Sequence, residues 1–176
     1  MPFTPFHMGP GAAIKAVTGR YFSLTIFGFA QVAIDLEPLI RIVRHDSVLH
    51  GFTHTYLGAF TIGLLTLFMG KIVCQWLLRS WNFLLNFKYL KWLQVNSKIS
   101  WFAASTGAFI GTFSHVLLDS IMHADMQPFW PISSNNALLN FIPGAWVYLL
   151  CSILGVIGLM SLFVIGLWNK WAIEIE

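Results

Sequence analysis

His115, Asp119 and His123 follow one another at intervals of four in "SHVLLDSIMH". On a helix that spacing stacks all three on one face. They close an apolar run, where ionisable groups are costly and mark function by default. "HGFTH" repeats the interval with His50 and His54 at the start of another apolar run. Paired i,i+4 imidazole and carboxylate ligands on facing helices are a common way to build a metal site inside a bundle. This donor set suits Zn²⁺ best, with Mn²⁺ or Fe²⁺ next. Each pair alone is a weak signal, because a single His at a membrane edge more often bonds water or backbone. Together, five of the six His, with Asp35 and Asp119, can be placed on one face. The bland alternative is a polar rim facing headgroups.

No other catalytic apparatus is legible. There is no GxSxG elbow, no Gly-rich phosphate loop and no context for a Cys nucleophile. Gly9-Pro10-Gly11 reads as a turn. An enzyme of this composition would need a metal to supply its nucleophile, by lowering the pKa of bound water to about 7. Asp35 or Asp119 could then bridge two ions or orient that water. His123 and Asp125 stand equally as ligands or loop residues, His123 in an outer role if any. Glu37 points away from Asp35 on a helix and is expected to bond a neighbour or Arg41, with a base role open. His45-Asp46, beside Arg41 and Arg44, reads as solvated surface.

The elements that must position these groups are membrane helices. The chain has 176 residues, 57% of them hydrophobic and only 10% charged, against about 25% charged in soluble domains. That leaves too little polar surface to coat a soluble globule. A net charge of +3 does not argue for nucleic acid. Cys74 and Cys151 sit in apolar runs and read as buried small hydrophobes. The start of the chain lacks a basic-then-apolar leader pattern, so insertion is expected to rely on the spans.

Three runs are long enough to cross the hydrocarbon layer: 55–78, 99–118 and 144–168. The second carries Gly107 and Gly111 in small-xxx-small spacing and should pack tightly. Lys71, near the end of the first, is expected to snorkel toward the interface. Residues 79–98 interleave Trp, Phe and Tyr with Arg79, Lys88, Lys91 and Lys98, which reads as an interfacial amphipathic helix. This basic cluster belongs in the cytoplasm, and Lys170 after the last span agrees. His50, His54, His115, Asp119 and His123 then share the outer face. Residues 6–19 and 22–40, joined by a turn at Thr18-Gly19-Arg20, read as a hairpin whose open end brings His7 near Asp35. The alternative, a full crossing by 22–40, separates His7 from Asp35.

Four short elements, "TPFH", "AIDLEP", "HGFTH" and "SHVLLDSIMH" with "PFWPIS" behind it, occur in the order seen in the YdjM-type family of bacterial inner-membrane metal-dependent hydrolases. The chain resembles that family over roughly residues 1–135. More distantly, its His and Asp order is similar to that of zinc-dependent phospholipase C enzymes. The resemblance implies metal ligation by His7, Asp35, His54, His115 and Asp119, with His50 as ligand or supporting group. Two positions depart from the family's pattern. Ile34 precedes Asp35 where Pro-Asp is usual, and Gly51 follows His50 where Arg is usual. Neither change removes a ligand.

The sequence therefore predicts an all-α multipass membrane bundle, one domain over 1–176, with three transmembrane helices plus an N-terminal hairpin or fourth span. It predicts a membrane-bound, zinc-type hydrolase holding one or two ions on His7, Asp35, His50, His54, His115 and Asp119. Asp35 and Asp119 are the catalytic carboxylates. The setting is a bacterial inner membrane with the site facing outside, and the substrate a small molecule or lipid, such as a headgroup phosphoester. Two other classes compete. A metal transporter would place polar groups along a path at the bilayer midplane, whereas these cluster near one edge. A non-catalytic interaction protein would bind no metal.

Overall fold

The computed structural model describes residues 5–87 and 90–174, apart from the side chains of 92 and 169–174. Every regular element among them is helical. Helices α1 (Met8–Thr18) and α2 (Leu24–Ile34) form the N-terminal hairpin, and α3 (Leu36–Val43) follows α2 after a break at Asp35. Next come α4 (Tyr56–Leu65), a π-helical stretch Thr66–Gly70 and α5 (Lys71–Leu84), which run on as one span. Then α6 (Trp101–Met122) and α7 (Gly144–Glu174) complete the bundle. Tyr56–Leu84, Trp101–Met122 and Gly144–Trp168 are long and apolar enough to cross a membrane.

The hairpin is the bundle's interior wedge. Ser23 caps α2 through the amide of Ile26 and donates its own amide to Ala103 O at 3.1 Å. The other end of α2 reaches the level of His115 and Asp119. Helix α2 thus runs along α6 from Ala103 to His115, about 18 Å. The α1 arm packs on α7 and α2 over the same depth, so His7 and Asp35 finish at the same end. This resolves the sequence alternatives in favour of the hairpin.

Small residues let the wedge in. A Cβ on Gly107 would lie 2.6 Å from Ser23 O, and one on Gly111 would lie 2.8 Å from Ala30 Cβ. A second seam joins α1 to α7, where a Cβ on Gly158 would lie 2.4 Å from Ala13 N and one on Gly9 would meet Cys151 O at 1.9 Å. Gly9-Pro10-Gly11 is therefore helical, not a turn. A Pro in the first turn has no intrahelical partner to lose, and both glycines face tight packing. Cys74 and Cys151 are buried free thiols, as expected.

A further sequence expectation changes. The described residues of the 79–98 stretch do not form an interfacial helix. Residues up to Leu84 extend the first span, and beyond it the regular structure among the described residues to 98 is a short 3₁₀ turn at Lys91–Leu93. Asn82 fixes the chain's return, accepting from Val95 N at 2.9 Å and donating to Val95 O at 2.7 Å, while Trp81 Nε1 donates to Leu93 O. These bonds replace the helical ladder. Lys88 of the basic cluster lies outside the described residues, as does the Lys170 side chain. The amphipathic surface helix is α3 instead. Leu36, Leu39, Ile40 and Val43 are exposed along one stripe, while Glu37 and Arg41 turn inward to pair. Lys71 lies over the Trp101 ring, 4.3 Å from its centroid, near the end of the bundle opposite Asp119.

Candidate metal centre

The donors assemble around Asp119. One turn of α6 separates it from His115, and the two stand 3.2 Å apart, Nε2 to Oδ2. Asp35 enters from the α2–α3 break, with Oδ1 3.2 Å from His115 Nε2. His54 Nε2 lies 3.5 Å from Asp35 Oδ1 and 3.6 Å from Asp119 Oδ2. All four side chains are buried, and their ligand atoms fall within 4.8 Å of one another. Ligand atoms about 2.05 Å from a tetrahedral ion stand about 3.3 Å apart. The four imidazole–carboxylate separations, 3.2–3.6 Å, bracket that value. The Nε2 atoms of His54 and His115 make no hydrogen bond among the described residues. Buried nitrogens left so cost free energy unless something binds them. The residues fit a divalent cation.

Each ring is aimed by a partner on its far side. His115 Nδ1 lies 2.6 Å from Gln31 Oε1, and Gln31 Nε2 donates to Gly111 O at 3.1 Å. That second bond fixes the amide, so His115 must donate from Nδ1 and present a bare Nε2 to the centre. His54 Nδ1 lies 3.0 Å from Thr53 Oγ1. The Thr53 hydroxyl has acceptors at Ile34 O, 3.0 Å, and Glu37 Oε2, 2.8 Å, so it accepts from His54. Pro38 explains why Ile34 O is available: it lacks the amide that would have bonded it within the helix. His50 Nδ1 pairs with Asp125 Oδ1 at 2.8 Å, and Asp125 Oδ2 accepts from the amides of Leu49 and His50. Outward Nδ1–H donation with inward Nε2 is the arrangement of metal-ligating histidines.

On the far side of Asp119 stand His7, His50 and His123. His7 Nε2 is 3.5 Å and His123 Nε2 3.9 Å from Asp119 Oδ1, while His50 Nε2 is 4.0 Å from Oδ2. Burial, outweighing the nearby Asp119 charge, lowers the His7 pKa to about 4. Burial also lowers that of His50, helped by the neighbouring His54. Both rings are then neutral at pH 7, as ligands must be. Burial alone would raise the Asp125 carboxyl, but the His50 ring and two backbone amides hold it down at about 2.

All six residues read from the sequence as ligands lie within one cluster. The expected helical stacking of His50 on His54 is not how they meet. Gly51 breaks the chain, Phe52–His54 is a 3₁₀ turn, and α4 begins only after Thr55 caps it through the Gly58 amide. His123 sits nearer the centre than its expected outer role, and Asp125 supports His50. Glu37 bonds Arg41, as expected, and also reaches Thr53 N at 2.8 Å. Position 51 holds no Arg, but Arg41 fills the space: a Cβ at Gly51 would lie 2.3 Å from its Nη2. His45 and Asp46 are exposed. Gln31 and Thr53 were not singled out. Gln31 was findable: it is the lone amide of the 22–34 run, four residues before Asp35 and so on the same helix face.

A cavity of about 280 Å³ opens onto the centre, lined by Pro5, Met8, Gly28, Gln31, Val32, Asp35 and His115. Its walls are apolar except at the inner end, where Gln31, Asp35 and His115 stand. On the other side of the centre, the 123–143 loop is tied down. Pro128 O accepts from Tyr56 N, and Asn136 Nδ2 donates to Ser120 O and His123 O.

Fold and site together define a class: a membrane-embedded helical bundle with a buried His/Asp centre able to hold a metal ion at one end. Within that class, the chain belongs to the family described as YdjM inner membrane protein, which it matches over residues 12–175. It is thus an inner-membrane protein. The match begins after His7 and extends through α7, farther than the motif resemblance reached. No curated protein and no solved structure matches the chain.

Proposed function

We propose that the protein is a membrane-bound, zinc-type metal-dependent hydrolase whose substrate is an amphiphile carrying a hydrolysable polar group, such as a headgroup phosphoester. The observation that carries this reading is the tetrad of Asp35, His54, His115 and Asp119, with ligand atoms at tetrahedral spacing and two imidazole nitrogens left for an ion. The ion, when bound, supplies an acidified water and a Lewis acid for the developing oxyanion. The chain's own residues do the rest. Gln31, Thr53 and Asp125 hold three rings in the ligating tautomer. Asp119 joins the two halves of the cluster. Asp35 is the tetrad carboxylate that also lines the cavity, so its ligand position is the one a water entering from the cavity would share or take, with the Asp35 carboxylate beside it to orient that water.

The cavity supports the substrate class. Its apolar walls suit a lipid-like portion, and its one polar end is the metal centre. Val32 at its edge is 45% exposed, on the face where α2 would meet the bilayer. The distribution of basic residues supports a site facing outside the cell. Lys15, Arg20, Lys71, Arg79, Lys91 and Lys98 gather toward the opposite end, whereas Arg41 and Arg44 lie at the site end and Arg41 is paired with Glu37. Cations favour the cytoplasmic side.

The test is elemental analysis of detergent-purified protein alongside a screen of phosphoester amphiphiles. Wild-type chain should carry a divalent metal and hydrolyse an amphiphile in a chelator-sensitive way. His115→Ala or Asp119→Ala should lose both metal and turnover while keeping the elution volume of the wild type. Stoichiometric metal retained in both variants overturns the assignment.

A further inference from the structure

We infer that the centre takes a second divalent cation, held by His7 Nε2, His123 Nε2 and Asp119 Oδ1 with His50 Nε2 completing it, so that Asp119 bridges two ions. This rests on the tetrad holding the first. Asp119 is the pivot. Its Oδ2 faces His54 and His115, and its Oδ1 faces His7 and His123 at 3.5 and 3.9 Å. Asp119 Oδ1, both nitrogens of His7 and His123 Nε2 are buried without a hydrogen-bond partner among the described residues. His7 is 2% exposed and Asp119 3%.

A simple ion pair does not account for this arrangement. A charge-assisted N–H···O bond closes to about 2.7–2.9 Å, and no contact to Oδ1 approaches that. Contacts of 3.5 and 3.9 Å to Oδ1, too long for such bonds, leave room for an ion among the three donors. His50 Nε2 lies 4.0 Å from Asp119 Oδ2, yet it is assigned to the second ion for two reasons. The first tetrad already supplies four donors, and the His50 ring packs on His123 with centroids 4.5 Å apart. Asp125 is near His50 and His123, but the His50 ring and two amides already engage it, so it orients rather than ligates. The donors come from the turn before α1, the loop before α4 and the end of α6. A second ion would therefore tie the hairpin to the rest of the bundle, and two cations sharing a carboxylate suit the paired oxygens of a phosphoryl group.

The experiment is metal counting on the detergent-purified full-length chain, reloaded with Co²⁺ or Zn²⁺ and freed of excess. Two ions per chain are expected in wild type, and one in His7→Ala and in His123→Ala. The Co²⁺-loaded wild type should show a spin-coupled pair by electron paramagnetic resonance. This readout needs no variant, so it stands even if a substitution prevents folding. One ion in wild type, or two without magnetic coupling, overturns the second site and leaves the tetrad intact. No ion in wild type overturns the tetrad as well.

Discussion

Helices α6 and α7 are both apolar spans, and they do opposite work. The α6 helix is lined with small residues, and a stripe of it is buried from Ala103 to Ser120. It accepts α2 at contact distance and carries His115 and Asp119 into the interior. The α7 helix is more apolar, yet only 11% of its most apolar window is buried, against 44% for α6. Val147 and Cys151 pack inward, while Trp146, Phe163 and Trp168 face outward. The difference teaches that hydropathy alone does not say which span builds a site. A greasier helix suits lipid, and a helix rich in small residues suits other helices.

Four substitutions test that contrast. The largest effect belongs to Asp119→Ala, which removes the carboxylate facing both halves of the cluster. Metal content by elemental analysis should fall to background, and retention of a full complement would remove α6 from the centre. Next, Gly111→Val should destabilise the bundle by about 1–3 kcal/mol, since its Cβ would meet Ala30 Cβ at 2.8 Å. Thermal unfolding in detergent reads this, and an unchanged midpoint would mean the α2–α6 seam is looser than described.

Gln31→Leu should spare the fold and weaken metal affinity about 10–100-fold, as His115 loses the acceptor that fixes its tautomer. Competitive titration against a chelator measures it, and wild-type affinity would show that Gln31 does not aim the ring. The smallest effect is expected on α7. Gly166→Leu has nothing within 4 Å of its Cβ and should alter stability by no more than about 0.5 kcal/mol. A large loss there would show that α7 packs on more than lipid around Gly166 as well as at its seam with α1.

The sequence by itself determined the class and the principal donors. Long apolar runs have no stable place but a membrane, so the three spans were legible. Their ends were less so: α5 ends at Leu84 rather than 78, and α6 at Met122 rather than 118. His115 and Asp119 were legible because both lie on one helix, where spacing fixes direction. The hairpin was legible as one of two alternatives, from a Thr-Gly-Arg turn between two apolar segments. Residues 79–98 misled, because an aromatic and basic pattern suits a surface helix and a folded-back loop equally. Only the tertiary structure showed that Asn82 binds Val95.

Only the tertiary structure, too, joined His54 to Thr53 and Glu37, His50 to Asp125 and His115 to Gln31. The last two links cross 75 and 84 residues of sequence. It also turned His123 toward Asp119 Oδ1. The physical reason is common to all of these. A periodic pattern fixes which way side chains point along one element, but the far side of an imidazole is satisfied by whichever element packs against it. That choice was made where glycines at 107 and 111 let α2 come close enough to bring Gln31 to His115.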